Sequence, residues 1–197
     1  LWQTEWSMLT NDSDYDTNEF PGYAAGTEMD HSIQMSRVIH NDLTVANCTS
    51  WSYWTSMDGG IAEHKNRFIL IRLAPDGGDL TEGDGKFTVT TNLWVLGNYS
   101  LFVRPGYQRI AHEVENEGYD FFGSSYLAPD NSRIVSVYTN STDKTFYLQD
   151  EFEGRDAIMG IKTYTTTDEK QMEPATVRVK DVVTIAPKSV VTVVYDL

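Results

Sequence analysis

Beyond Tyr107 the chain breaks into short β-branched and aromatic runs, Phe121–Leu127, Ile134–Tyr138, Thr145–Leu148, Ile158–Thr165, Thr176–Val179 and Ser189–Tyr195. Turn-forming residues separate them, as at Pro129-Asp130-Asn131-Ser132 and Asn140-Ser141-Thr142-Asp143-Lys144. Runs this short, closed by residues that reverse the backbone, specify an antiparallel β-sandwich. The front of the chain follows another rule. The opening Leu1 to Leu9 is strand-like, and after a long loop Asp30 suits an N-cap for a helix to about Val45, with Met35, Val38, Ile39, Asp42 and Leu43 at helical spacing. An aromatic strand from Trp51 to Met57 follows. Strand, helix, strand is a βαβ unit, whose crossover makes its two strands parallel and adjacent.

Further on, Arg67 to Leu73 is strand-like, Pro75 to Gly85 is a Gly/Asp-rich loop expected to lack structure, and a helix is expected from about Thr91 to Val103. That helix is apolar nearly all round and is stopped by Pro105-Gly106, so it should be buried. A length of 197 residues allows one to two domains with a substantial core. The formal charge of −14, from 29 acidic against 15 basic residues, opposes nucleic acid and anionic membrane as partners, because such binding is carried by Lys and Arg. Neutral glycans are compatible with it.

The chemistry concentrates in the opening run Leu1-Trp2-Gln3-Thr4-Glu5-Trp6-Ser7-Met8-Leu9, where Glu5 sits between two indoles. An ionised carboxylate in an apolar strand costs several kcal/mol to desolvate unless it is paired or used. Glycosidic chemistry would use it: a carboxylate beside the anomeric carbon stabilises an oxocarbenium-like transition state, and Trp faces suit the C–H-rich faces of a pyranose. An edge strand whose Glu5 and Gln3 face water is the alternative. A second aromatic stretch, Trp51-Ser52-Tyr53-Trp54-Thr55-Ser56-Met57-Asp58-Gly59-Gly60, runs into an acidic, glycine-rich turn, and equally fits a core strand.

Taken in order, a Trp-x-x-Glu strand at Trp2 to Glu5, a Trp-x-x-Trp strand at Trp51 to Trp54, and the segment Gly97-Asn98-Tyr99-Ser100-Leu101-Phe102-Val103-Arg104-Pro105-Gly106-Tyr107-Gln108-Arg109-Ile110 resemble glycoside hydrolase family 30, the glucosylceramidase-like and endo-glycanase family. The resemblance covers most of the chain but only the back portion of such an enzyme. It implies the last two strand–helix units of a (β/α)8 TIM barrel over 1–106, followed by a β-sandwich side domain over 107–197. It further implies a retaining β-glycosidase with Glu5 as nucleophile, Trp54 flooring the subsite of the cleaved sugar, and Trp6, Tyr53 and Asp58 as further substrate-binding residues.

The family's acid/base lies in an Asn-Glu-Pro motif, whereas the pairs Asn18-Glu19 and Asn116-Glu117 here lack the proline and lie elsewhere in the order. The acid/base is therefore expected outside this chain, and a missing N-terminal barrel portion is expected as its partner. The expected substrate is a β-linked oligo- or polysaccharide, with a β-1,6-linked galactan or glucan preferred. Secretion to an extracellular or periplasmic space goes with that role. No Trp follows Trp94, so packing is a better expectation for the sandwich than separate glycan binding. A non-catalytic module that only binds a glycan or a neighbouring domain is the competing class.

No cofactor is expected, and no metal. Asn11 to Glu19 alternates acidic residues like a calcium loop, yet Thr17 stands where an EF-hand needs Gly and Tyr23 where it needs Glu. His31 and His40 lack a metal-binding spacing and read as surface residues or supports behind a site. Cys48 cannot form an internal disulfide and reads as a small buried apolar residue. Sequons begin at Asn11, Asn47, Asn98 and Asn140, of which Asn98, inside a helix, is read as accidental. With no apolar run of about 18–20 residues and no leader, the chain is expected to be soluble and to be a processed or cut piece.

Overall fold

The computed structural model describes residues 1–7, 26–59, 69–75, 84–115, 118–149, 151–152 and 158–197. The acidic loop at Asn11 to Glu19 lies outside them. The chain forms two compact units, Leu1–Leu93 and Trp94–Leu197.

In the first unit, β1 (Trp2–Trp6) leads to α1 (Glu28–Thr44) and then β2 (Ser50–Tyr53), which pairs parallel with β1. This is the βαβ unit read from the sequence. Thr27, not Asp30, is the N-cap of α1: the Thr27 hydroxyl accepts from the Asp30 amide at 3.2 Å, while the Asp30 carboxylate accepts from the Thr27 amide at 3.0 Å. Asp30 is thus the reciprocal half of a capping box, one turn inside the helix. Met29, Ile33, Met35 and Ile39 form the buried stripe of α1, and His31 is buried beside them rather than at the surface.

The aromatic strand is shorter than expected. β2 ends at Tyr53, and a separate β3 (Met57–Asp58) begins after the cis Trp54–Thr55 peptide. The chain changes partners at this point. The Trp54 amide still donates to the Trp6 carbonyl, whereas Thr55 and Ser56 carbonyls accept from Leu70 and Ile71. β3 lies parallel to β4 (Ile71–Pro75), which pairs antiparallel with β5 (Gly85–Val89). β5, unforeseen in the sequence, is an edge strand exposed along most of its length, so it carries no alternation to betray it. Thr90 ends that hairpin with its hydroxyl on the Ile69 carbonyl at 2.7 Å.

α2 (Thr91–Ser100) is shorter than the expected helix, giving way to turns at Leu101. The two units divide inside it, upstream of the 106/107 boundary drawn from the sequence. The buried Asn98 near its carboxyl end explains why this end belongs with the sandwich strands. Its amide donates to Thr166 Oγ1 at 2.6 Å, and Thr192 Oγ1 donates to its side-chain oxygen at 2.8 Å.

The second unit is the antiparallel sandwich. Its main sheet has six strands in the order β11 (Glu173–Val177), β10 (Gly160–Thr166), β13 (Ser189–Asp196), β8 (Arg133–Asn140), β7 (Phe121–Leu127), β6 (Gln108–Ile110). A two-stranded sheet of β9 (Phe146–Leu148) and β12 (Val183–Ile185) is separate from it. Between them lies a core of Phe121, Ile134, Tyr138, Ile161, Val183, Ile185, Val191, Val193 and Tyr195. Each large side chain so buried contributes about 1.5–3 kcal/mol. Phe121 stacks on Phe146 at 4.2 Å, and Phe152 meets Tyr195 edge-on at 4.8 Å. β6 and β12, three residues each, were not legible as strands. Cys48 is buried, and so are the Asn98 and Asn140 sequon residues, whereas Asn47 is exposed. No helix among the described residues is long and apolar enough to cross a membrane.

Candidate active site

Glu5 lies where the register of the β1–β2 pair slips. Gln3 is opposite Trp51 and Trp6 is opposite Tyr53, so β1 advances one residue more than β2 between them. The extra residue falls at Thr4 and Glu5. Such a bulge re-aims side chains. Gln3 and Trp6 are thereby brought to one face, although an unbulged strand would put them on opposite faces.

Burial separates the two faces. Gln3, Trp6, Trp51 and Tyr53 are half-buried, while Trp2, Thr4, Glu5, Ser50, Ser52 and Trp54 are exposed. The half-buried face is the one α1 covers, because Trp51 Nε1 donates to Asp42 Oδ2 on that helix at 2.9 Å. Three rings fill this face. Trp6 lies 6.0 Å from both Trp51 and Tyr53, and Trp51 lies 6.1 Å from Tyr53. Burial among them pushes the Tyr53 phenol well above its ordinary range.

Of the residues singled out in the sequence, Glu5 and Trp54 are both exposed, near the carboxyl ends of two parallel strands. In βα architectures that end is where sites are built. Trp6 and Tyr53 lie on the helix-covered face. Asp58 is apart from both, on β3, with its Oδ1 accepting the Gly59 amide at 2.6 Å. Trp54 retains 41% of its surface. Among the described residues no cluster of three or more His, Cys, Asp or Glu could hold a metal ion.

Two further carboxylates hold the first unit together without a signal in the sequence. Asp42 was counted only as part of the periodicity of α1, yet it carries the hydrogen bond to Trp51 just described. Glu28, in the first turn of α1, takes Arg72 Nη2 at 3.1 Å and lies 3.4 Å from the Thr91 hydroxyl, joining α1, β4 and the start of α2. Nothing in local sequence marks either one, because each partner lies on another element.

Comparison with known proteins gives the following likenesses. The sequence model of O-glycosyl hydrolase family 30 matches residues 1–63, which contain Glu5, Trp6 and Trp54. A conserved exported protein from Bacteroides fragilis is similar over 98% of this chain and 38% of its own, with 27% identity and a TM-score of 0.78. A family 30 endoxylanase from Clostridium papyrosolvens matches 100% of this chain and 42% of its own, at 19% identity and a TM-score of 0.68. A family 30 xylanase C catalytic domain from Talaromyces cellulolyticus matches 100% and 40%, at 18% and 0.68. The chain thus spans about two fifths of the length of these structures. No functionally curated protein sequence matches it. The likeness read from the motif order is therefore shown: the chain is similar to the C-terminal part of a glycoside hydrolase family 30 enzyme.

Proposed function

We propose that this chain supplies the nucleophile half of the active site of a retaining O-glycosyl hydrolase acting on a β-linked glycan. The observation that carries the proposal is the bulge in β1 at Thr4 and Glu5, where Glu5 is exposed and the exposed Trp54 follows the end of the paired strand. An exposed carboxylate beside an aromatic platform can attack an anomeric carbon while the sugar ring stacks. Trp54 floors the subsite. Trp6 and Tyr53 act from behind the strands, and Asp58 is assigned a substrate-side role beyond the strand ends.

Retention needs a second carboxylate roughly 5–5.5 Å away to protonate the leaving oxygen. We assign it to an N-terminal barrel portion, with the first unit as the last strand–helix units of that (β/α)8 barrel. Glu19 and Glu117, the carboxylates of the two Asn-Glu pairs, lie outside the described residues, as does Glu63. Family 30 xylanases are among the similar structures, so xylan joins β-1,6-galactan and β-1,6-glucan as a substrate to assay. Secretion fits the resemblance to an exported protein.

In the intact enzyme, Glu5→Gln should lower kcat by about three orders of magnitude or more while leaving the fold unchanged. A 2-fluoro-glycoside should leave its label on Glu5. Label on another carboxylate, or near-normal turnover of Glu5→Gln, refutes the assignment.

A further inference from the structure

We infer that Asp42 is a positioning residue for Glu5, acting through Trp51; this rests on the nucleophile reading above. The bulge can occupy only the interval between Gln3↔Trp51 and Trp6↔Tyr53, so Trp51 and Tyr53 bracket it from the neighbouring strand. Trp6, the residue directly after Glu5, packs at 6.0 Å against both of those rings. A ring held in place on β2 therefore fixes Trp6, and Trp6 fixes which way its neighbour faces.

Asp42 holds that ring. Its Oδ2 accepts the Trp51 indole N–H at 2.9 Å, a bond to a carboxylate and so stronger than one between neutral groups. Indole is a donor only, so Trp51 can satisfy its one polar atom on this face only with an acceptor such as Asp42. The Asp42 carbonyl also accepts the Cys48 amide at 2.8 Å, tying the end of α1 to the turn that leads into β2. Asp42 thus joins helix, turn and strand behind the nucleophile and touches no substrate. Without its carboxylate the Trp51 ring is free to rotate, Trp6 follows, and the extra residue of the bulge can shift along β1. Such a shift by one position turns Glu5 toward the helix-covered face.

The test uses the intact enzyme, with rates referred to the concentration of sites titrated by a 2-fluoro-glycoside. Asp42→Ala should slow both kcat and the labelling rate of Glu5 by about tenfold while KM changes less than about twofold, because a nucleophile is misaimed and no subsite is lost. Asp42→Asn keeps an acceptor for the indole and should restore most of the rate. Trp51→Phe should reproduce Asp42→Ala, and the double variant should be no slower than either single one, as for two halves of one contact. Unchanged kcat per titrated site in Asp42→Ala, multiplicative losses in the double variant, or a loss in KM alone would overturn the inference. An active Glu5→Gln would instead overturn the nucleophile reading beneath it.

Discussion

Replacing Asn98 by Ala tests the link between α2 and the main sheet of the sandwich. Asn98 is 0% exposed; its amide donates to Thr166 Oγ1 at 2.6 Å and to the Trp94 carbonyl at 2.9 Å, and its Oδ1 accepts from Thr192 Oγ1 at 2.8 Å. Thr192 can still donate to the Asn98 backbone carbonyl, 2.7 Å away, so its hydroxyl survives the change. Thr166 loses its amide donor in a place where it is itself 0% exposed. At about 1 kcal/mol for each of the two bonds that the amide donates, with a further 1–3 kcal/mol for a stranded buried polar group, Asn98→Ala should cost about 3–5 kcal/mol. In a chain of this size that lowers Tm by roughly 6–20 °C, measured by thermal unfolding in near-ultraviolet circular dichroism. Asn98→Asp sharpens the test. It keeps the acceptor for Thr192 but sets a carboxylate, starved of water, against the Thr166 oxygen and the Trp94 carbonyl. Its folded-state pKa should be raised, so stability is retained below the ordinary aspartate value and lost as pH climbs through the folded one. A Tm change under about 2 °C for Asn98→Ala, or an Asn98→Asp protein indifferent to pH, would refute this account of the helix.

Trp54→Ala should cost roughly 2–4 kcal/mol of transition-state binding in the intact enzyme. Kinetics with Tm in parallel check it, since a loss that only tracks stability would make Trp54 a packing residue. A Cβ at Gly123 would stand 2.7 Å from Tyr138 Cδ1 and 3.0 Å from His112 Nε2, and Tyr138 is buried, so Gly123→Ala should destabilise by about 1–3 kcal/mol in urea unfolding. Burial raises the phenols of Tyr53 and Tyr126, so the stability each lends is complete below the ordinary phenol pKa of about 10 and drains away above it. Tyr53→Phe should flatten the alkaline fall in Tm; an unaltered profile would mean that Tyr53 ionises freely in the folded state.

Much of the fold was legible because its signals are local. The strands Phe121–Leu127 and Ser189–Asp196 are β-branched or aromatic runs between turn residues, and α1 shows its periodicity in Met35 and Ile39. β5, β6 and β12 were missed because three to five residues at an edge impose no pattern. The helix start was misplaced by one turn because Thr27 and Asp30 are both good caps, and only their reciprocal bonds decide which is first. At the candidate site the motif order drew attention to Glu5 and Trp54 together. The separation of Trp6 and Tyr53 from them was hidden, since strict alternation along β1 says nothing of an extra residue that no glycine announces. Asp42 was out of reach for a related reason: its bond to Trp51 crosses from helix to strand.

The order of the main sheet bears on how this protein is made. β13 lies between β8 and β10 and bonds along eight and seven residue pairs respectively, yet it comes last of the six in chain order. The meander β6–β7–β8 and the hairpin β10–β11 can each assemble during synthesis, but they remain two separate pieces, each with an open edge, until Ser189–Asp196 emerges and zips them together. Closure therefore waits for the last of these six strands and is of high contact order, which makes it slow. For as long as the nascent chain waits, the edges of β8 and β10 are open to any other strand within reach, so ribosome stalling before Ser189, or a stop codon there, should convert this unit into a substrate for chaperones and proteases rather than a smaller version of itself.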